Sequence, residues 1–202
     1  MVVMAAPTAR AHATRDAILD AALVVLERDG LRASRMADVA AEAGVSRQSV
    51  YYHFQSREEV LAALIDRGLA DLARAVRAGA AGQRVEGFVV AAVGFFADNQ
   101  VLCRLLITEM WGLAGDPHAP RRIVDRAEEE IITPVARRIA EATRAGEVDC
   151  ADPTLAARAL MGQIAGVVLG LVVREERLDA DRLAPQLVAY ARAVLGAGHG
   201  GE

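Results

Sequence analysis

The chain has 202 residues, 53% of them apolar, and a formal net charge of −4; that composition builds a core without disulfides or a structural metal. Cys103 and Cys150 lie far apart and His12, His53, His118 and His199 are scattered, which excludes a disulfide framework, a C-x-x-C redox pair and a zinc-ligand spacing. The sequence opens without a basic-then-apolar leader, and its most apolar run, residues 159–173, is shorter than the ~18 residues of a membrane span, so a cytoplasmic chain with no membrane partner is expected.

Apolar residues recur at spacings of three and four rather than two, so the chain reads as helix throughout. Residues 1–13, rich in Ala with Pro7 and Thr8, read as a flexible arm. Thr14 is the expected N-cap of a first helix that places Ile18, Ala22, Val25 and Leu26 on one face. It stops at Gly30, where a left-handed C′ position suits glycine. A short second helix from about Arg35 is halted by Gly44, and a third starts at Ser46. Ser56 and Glu59 form a capping box opening a fourth, connecting helix over 57–78. Beyond the small-residue seam 78–82, a fifth helix carries Phe88, Ala92, Phe95 and Asn99. A sixth carries Leu102, Leu105, Leu106, Glu109 and Met110. Pro120 suits the start of a long seventh helix ending near Gly146. Pro134 within it predicts a kink, because it removes a ladder donor and crowds the preceding turn. Asp152-Pro153 opens an eighth helix, and a ninth spans roughly 182–195. The expected fold class is all-α, with about nine helices: a three-helix module over 14–56, the connecting helix, and a helical domain over 79–202.

The informative stretch runs from Met36 to Phe54. Two short helices flank Gly44-Val45-Ser46, a turn of the length that a DNA-binding helix-turn-helix needs. Ala40 is small enough for the helices to cross closely, Val39 and Val50 point to the core, and Ser46 caps the second helix. Val45 can touch Val50 as a hydrophobic staple, fixing the angle at which that helix leaves the turn. The outer face then offers Arg47, Gln48, Ser49, Tyr51, Tyr52 and His53. Arginine pairs bidentately with guanine and glutamine with adenine in the major groove; serine, tyrosine and histidine donate to phosphate oxygens. The acidic total does not oppose this, since residues 1–57 carry seven arginines against six acids and local placement governs nucleic-acid binding. The bare pattern also fits an ordinary solvated helical corner.

The particular residues go further. Asp38-Val39-Ala40, Ala43-Gly44-Val45-Ser46, Val50-Tyr51-Tyr52-His53-Phe54 and Ser56-Arg57-Glu58-Glu59-Val60-Leu61 resemble the DNA-binding domain of the TetR family of bacterial transcriptional regulators. The resemblance runs from Thr14 to Val76, about a third of the chain. It implies a ligand-responsive repressor that binds a pseudo-palindromic operator in double-stranded DNA as a homodimer, with no enzymatic activity and no cofactor. It implies base or groove contacts by Arg47, Gln48, Ser49 and Tyr52, and backbone contacts by Tyr51, His53 and Arg57. Two positions depart from the family pattern. Arg35 stands where a capping threonine is usual, which leaves Ser34 to take over the cap and Arg35 the phosphate. Arg57 stands where lysine is usual.

In the C-terminal half, the helix from Leu155 to Val173 is apolar nearly all round, which implies burial on opposite sides. Gly162, Gly166 and Gly170 form a small-residue stripe that allows close helix approach, either to a second copy of the chain or within the subunit. The family resemblance implies dimerisation through the last two helices, with Val188, Tyr190, Ala191 and Val194 joining from the ninth. It also implies a small, largely apolar effector held between the fifth and eighth helices. The candidate lining is Phe88, Phe95, Asn99, Glu109, Met110, Trp111 and Gln163, each of which also reads as plain core or surface. Gln163 in particular could serve the ligand, the dimer or the core. An alternative is a helix-turn-helix DNA-binding protein controlled by a protein partner or working without a small effector. An enzyme is disfavoured, because neither a nucleophile–base pair nor a metal cluster nor a phosphate-cradling loop is visible.

Overall fold

The computed structural model describes residues 9–31, 33–81, 86–110 and 118–196, leaving aside the side chains of residues 9, 10, 107, 109, 110 and 119. The elements are α1 (Ala9–Asp29), α2 (Met36–Glu42), α3 (Arg47–His53), α4 (Arg57–Ala80), α5 (Gly87–Asp98), α6 (Gln100–Met110), α7 (Ala119–Ala127), a π-helical turn (Glu128–Ile132), α8 (Thr133–Arg144), α9 (Pro153–Val173) and α10 (Ala180–Leu195). With α7, the π turn and α8 taken as one unbroken run, the described residues hold nine helical rods. The chain divides into two compact units, residues 1–65 and 66–202, and the division falls inside α4, the expected connecting helix.

The first helix starts earlier than Thr14. It begins at Ala9, because the alternating alanines from 9 to 13 are strong helix formers and outweigh a local capping preference. The expected arm therefore shortens, and residues 1–8 lie outside the described set. In the N-terminal unit, Ile18, Leu19, Ala22, Val25 and Leu26 of α1 are buried, as are Val39, Ala40, Val50 and Phe54; α1 packs on α2, and α2 on α3.

In the second unit, Phe88, Val89, Ala92 and Val93 of α5 share a core with Val135 and Ile139 of α8, Leu160, Ile164 and Val168 of α9, and Leu187 and Ala191 of α10. The expected kink at Pro134 takes the form of the π turn. Thr133 donates its N–H to the carbonyl of Glu128, five residues back, and the proline follows at once. Asp152 caps α9, its Oδ1 accepting from the N–H of Leu155 at 2.9 Å, and Asp179 caps α10 in the same way through Arg182 at 3.1 Å. At 21 residues, α9 is long and apolar enough to cross a bilayer by length and composition, which corrects the shorter run read from the sequence. Its contacts with α5, α6, α8 and α10 account for the apolar residues on its buried side as core packing.

Candidate nucleic-acid interface

The corner between α2 and α3 is built by local chemistry. Gly44 adopts φ +65°, its N–H reaches the Ala41 carbonyl at 3.2 Å and that of Val45 reaches Ala40 at 3.0 Å, the paired bonds of a Schellman stop. Two residues on, the Ser46 hydroxyl accepts from the N–H of Ser49 at 3.1 Å, so α3 starts as soon as α2 has ended. Val50 is fully buried and anchors α3 by its inner face. At the far end, the Arg15 guanidinium lies 4.8 Å over the ring of buried Phe54, the residue that terminates α3. Arg15 was not among the residues singled out from the sequence. The signal was available, since it sits three and four residues before Ile18 and Leu19, on their face.

With its inner face pinned at both ends, α3 turns its remaining side chains outward. Arg47 and Gln48 are exposed, Ser49 and His53 are half-buried, and Tyr51 and Tyr52 are 52% and 82% exposed. Two exposed aromatic rings on a seven-residue helix cost hydrophobic free energy unless a partner covers them. Tyr52 and His53 stand edge to face at 5.2 Å, which holds both rings on one side. A seven-residue helix is about 10 Å long, short enough to enter a major groove about 12 Å wide.

Arg35 and Arg57, the two departures from the family pattern, have different fates. Arg35 is exposed at the N-cap of α2, which has no side-chain cap. The expectation that Ser34 caps α2 is not met. The residue is only 7% exposed, and its hydroxyl donates instead to the Leu31 carbonyl at 3.2 Å. Arg57 is directed inward as well, its Nε donating to the Ser34 hydroxyl at 3.3 Å and its Nη2 to the Leu31 carbonyl. The capping box at α4 is present in a shifted form. Ser56 accepts from the Glu59 N–H at 3.2 Å, while the Glu59 carboxylate reaches Gln55, one residue before the cap, at 2.6 Å.

In the second unit, the described residues among those expected around an effector have different settings. Phe88 is fully buried in the common core and Phe95 packs against it. Asn99 spends its amide on the Phe95 carbonyl at 2.7 Å, closing the last turn of α5, and Gln163 is half-buried on α9. The side chains of Glu109 and Met110, and the whole of Trp111, lie outside the described residues. A separate open cleft of about 180 Å³ is lined by Val76, Arg77, Ala80, Ala81, Pro134, Val135 and Arg138. Among the described residues no cluster of His, Cys, Asp or Glu is placed to hold a metal ion.

The glycine stripe is more decisive. A Cβ added at Gly162, Gly166 or Gly170 would meet no neighbouring atom within 4 Å, so among the described residues the stripe packs against nothing in its own subunit. Leu155, Ala159, Gly162, Gly166 and Val173 are exposed and Gly170 half-buried, a continuous apolar row at spacings of three and four. On α10, Ala191 is fully buried in the subunit's own core and Val188 packs against that core. Ala191 is therefore removed from the expected contact face. Tyr190 and Val194 are the exposed apolar residues there, at 58% and 46%, because one step along a helix turns a side chain by about 100°.

Comparison with known proteins agrees with this geometry. Residues 18–64 match the family model described as bacterial regulatory proteins, tetR family, and residues 83–195 match the AefR-like transcriptional repressor C-terminal domain. The repressor SCO4008 of Streptomyces coelicolor is 30% identical over 113 residues, 55% of this chain and 58% of that protein. The regulator SrpR of Pseudomonas putida is 43% identical over 57 residues, 28% of this chain and 27% of that one. The chain thus spans less than two thirds of these curated relatives. Among solved structures, a TetR-family regulator from Mesorhizobium loti superposes with a TM-score of 0.73 at 20% identity, covering 93% of this chain and 98% of that one. The SmeT–triclosan complex gives 0.71 at 22% identity, covering 94% and 98%. At those identities the likeness is one of fold.

Proposed function

Because the chain belongs to the TetR family of bacterial transcriptional regulators, we propose that it is a repressor that binds a pseudo-palindromic operator as a homodimer and leaves it when a small, largely apolar effector binds the second unit. The single observation that carries the reading is α3, a helix anchored by Val50 that presents Arg47, Gln48, Tyr51 and Tyr52 to solvent. Arg47 and Gln48 read base edges, Ser49 and Tyr52 line the groove, and Tyr51, His53 and Arg35 hold phosphates.

Dimerisation is supported by the bare apolar row on α9 with Tyr190 and Val194 on α10. A two-fold axis there supplies two recognition helices for half-sites about 34–36 Å apart. Release requires an effector that binds one arrangement of the dimer better than the other, since a ligand shifts an equilibrium only by its differential affinity. The helix α4, which contributes residues to both units, is the element through which that preference reaches the DNA-binding unit. The cell compartment is the cytoplasm, where the operator is. Immunoprecipitation of the tagged protein from its bacterium, paired with transcript levels after deletion of its gene, tests the reading. Transcripts from bound promoters rise on deletion if it represses; unchanged or falling transcripts contradict repression.

A further inference from the structure

The two departures from the family pattern meet at one corner of the N-terminal unit. The chain leaves α1 at Gly30, which adopts φ +78°, and must turn into α2 within a few residues. No side chain caps α2, so the polar groups of the corner are satisfied elsewhere. The Leu31 carbonyl accepts from both the Ser34 hydroxyl and the Arg57 guanidinium, and the Ser34 hydroxyl accepts from Arg57 in turn. Three groups thereby close a ring between the corner and the first residue of α4, beside Leu26, Val39, Val60 and Leu61.

We infer that Arg57 is a positioning residue for DNA recognition, acting as a latch that fixes the entry into α2, and not a phosphate contact. This rests on the DNA-binding reading above. The guanidinium has a planar fork of donors, and two of its nitrogens are committed to two acceptors that only a fork reaches together. Swinging it out to a phosphate would take a charged donor away from both the Ser34 hydroxyl oxygen and the Leu31 carbonyl, leaving only the bond between those two, at a residue that is 7% exposed, and hydrogen bonds to charged groups are costly to lose. The latch matters for recognition because α2 and α3 are joined through Gly44 and Ser46 with no slack. The pitch at which α2 leaves the corner sets the pitch at which α3 meets the groove. The Arg57 latch ties down the segment that leads into α2, whose first turn no side chain caps, while Arg35, which stands at the N-cap, keeps its side chain in solvent.

The test uses the full-length protein and four variants, Arg57→Ala, Arg57→Lys, Ser34→Ala and the double Arg57→Ala/Ser34→Ala. Hydrogen exchange on the free protein reads the latch directly. Amides 33–36 should exchange at least tenfold faster in Arg57→Ala and Arg57→Lys, with a smaller increase in Ser34→Ala. Unchanged exchange there overturns the latch. Anisotropy titration against a duplex selected from a random pool reads the consequence. Arg57→Ala should lose about tenfold in affinity with the slope of log K against log salt unchanged, lysine should not restore it, and Ser34→Ala should add nothing in the double variant. Rescue by lysine, or a slope flatter by about one unit, assigns Arg57 to phosphate and overturns the positioning role. Affinity unchanged beside faster exchange overturns it too. If the wild-type protein selects no duplex, the DNA-binding reading and the positioning role both fall, and exchange alone decides the latch.

Discussion

Arg77 Nη1 donates to the main-chain carbonyl of Glu130 at 3.0 Å, within the turn where Pro134, four residues on, removes a backbone donor. The sequence shows the proline and its penalty; the structure shows that α4 supplies a side-chain donor to the same turn. Arg126 works beside it, bridging Asp66 of α4 at 2.8 Å and the Glu130 carboxylate at 2.8 Å. The π turn is thus held to α4 at two places, and one of them is a main-chain carbonyl in the turn that Pro134 leaves one donor short.

Removing the donor should cost little but measurably. Arg77→Ala is expected to lower unfolding free energy by about 1 kcal/mol, the net worth of one hydrogen bond. Pro134→Ala restores a ladder donor, so in that background Arg77→Ala should cost less than half as much. Urea melts of the four proteins give the coupling. A full cost in both backgrounds would show that Arg77 stabilises through something other than the missing donor.

Base readout is expected to reside in two adjacent side chains. Arg47→Ala or Gln48→Ala should reduce specific affinity by ~1–3 kcal/mol and relax preference at one or two base pairs. Gel shifts against single-base operator variants measure both effects. Identical preference profiles in wild type and both variants would exclude direct readout by this pair.

The exposed glycine row gives a cleaner handle on assembly than a buried one would. Gly166→Leu adds a side chain into open space within the subunit, so helicity should be kept or rise slightly, since glycine costs about 1 kcal/mol within a helix. Across a two-fold axis the same leucine pushes two helices apart. Sedimentation should show monomers, and operator affinity should fall by orders of magnitude as bivalent binding is lost. A dimer of unchanged affinity would move the interface off α9.

Both thiols should be silent. Cys103 is buried, and burial pushes its thiol up to about 12; its Sγ–H points to the Phe96 carbonyl at 3.6 Å. Cys150 is buried too. Since the thiolate is the reactive form, iodoacetamide at pH 8 is expected to leave the native protein unlabelled and to modify both residues after denaturation. Rapid native labelling of Cys103 would mean that the junction of α5 and α6 opens readily.

Features set by neighbouring residues were legible in the sequence. The stop at Gly44, the cap at Ser46, the caps at Asp152 and the burial of Val50 follow from chemistry within a few positions, and each stands where expected. What was not legible is where long side chains turn. Arg57 looks alike in sequence whether it reaches out to phosphate or in to Leu31, and only the folded corner decides. Ala191 and Tyr190 illustrate the phase problem, for one helical step separates core from surface and an end misplaced by one residue exchanges them. Thr14 misled because a capping residue inside an alanine-rich stretch is simply helical.

The central claim is that α3 of two protomers reads one operator, and selection of bound duplexes from a random DNA pool by the full-length protein tests it most directly. The account predicts an enriched site of two inverted half-sites, their centres about one helical turn or a multiple apart, whose half-site bases lose their preference in Arg47→Ala. No enrichment over the starting pool, or a single unpaired half-site bound by one protomer, would contradict it.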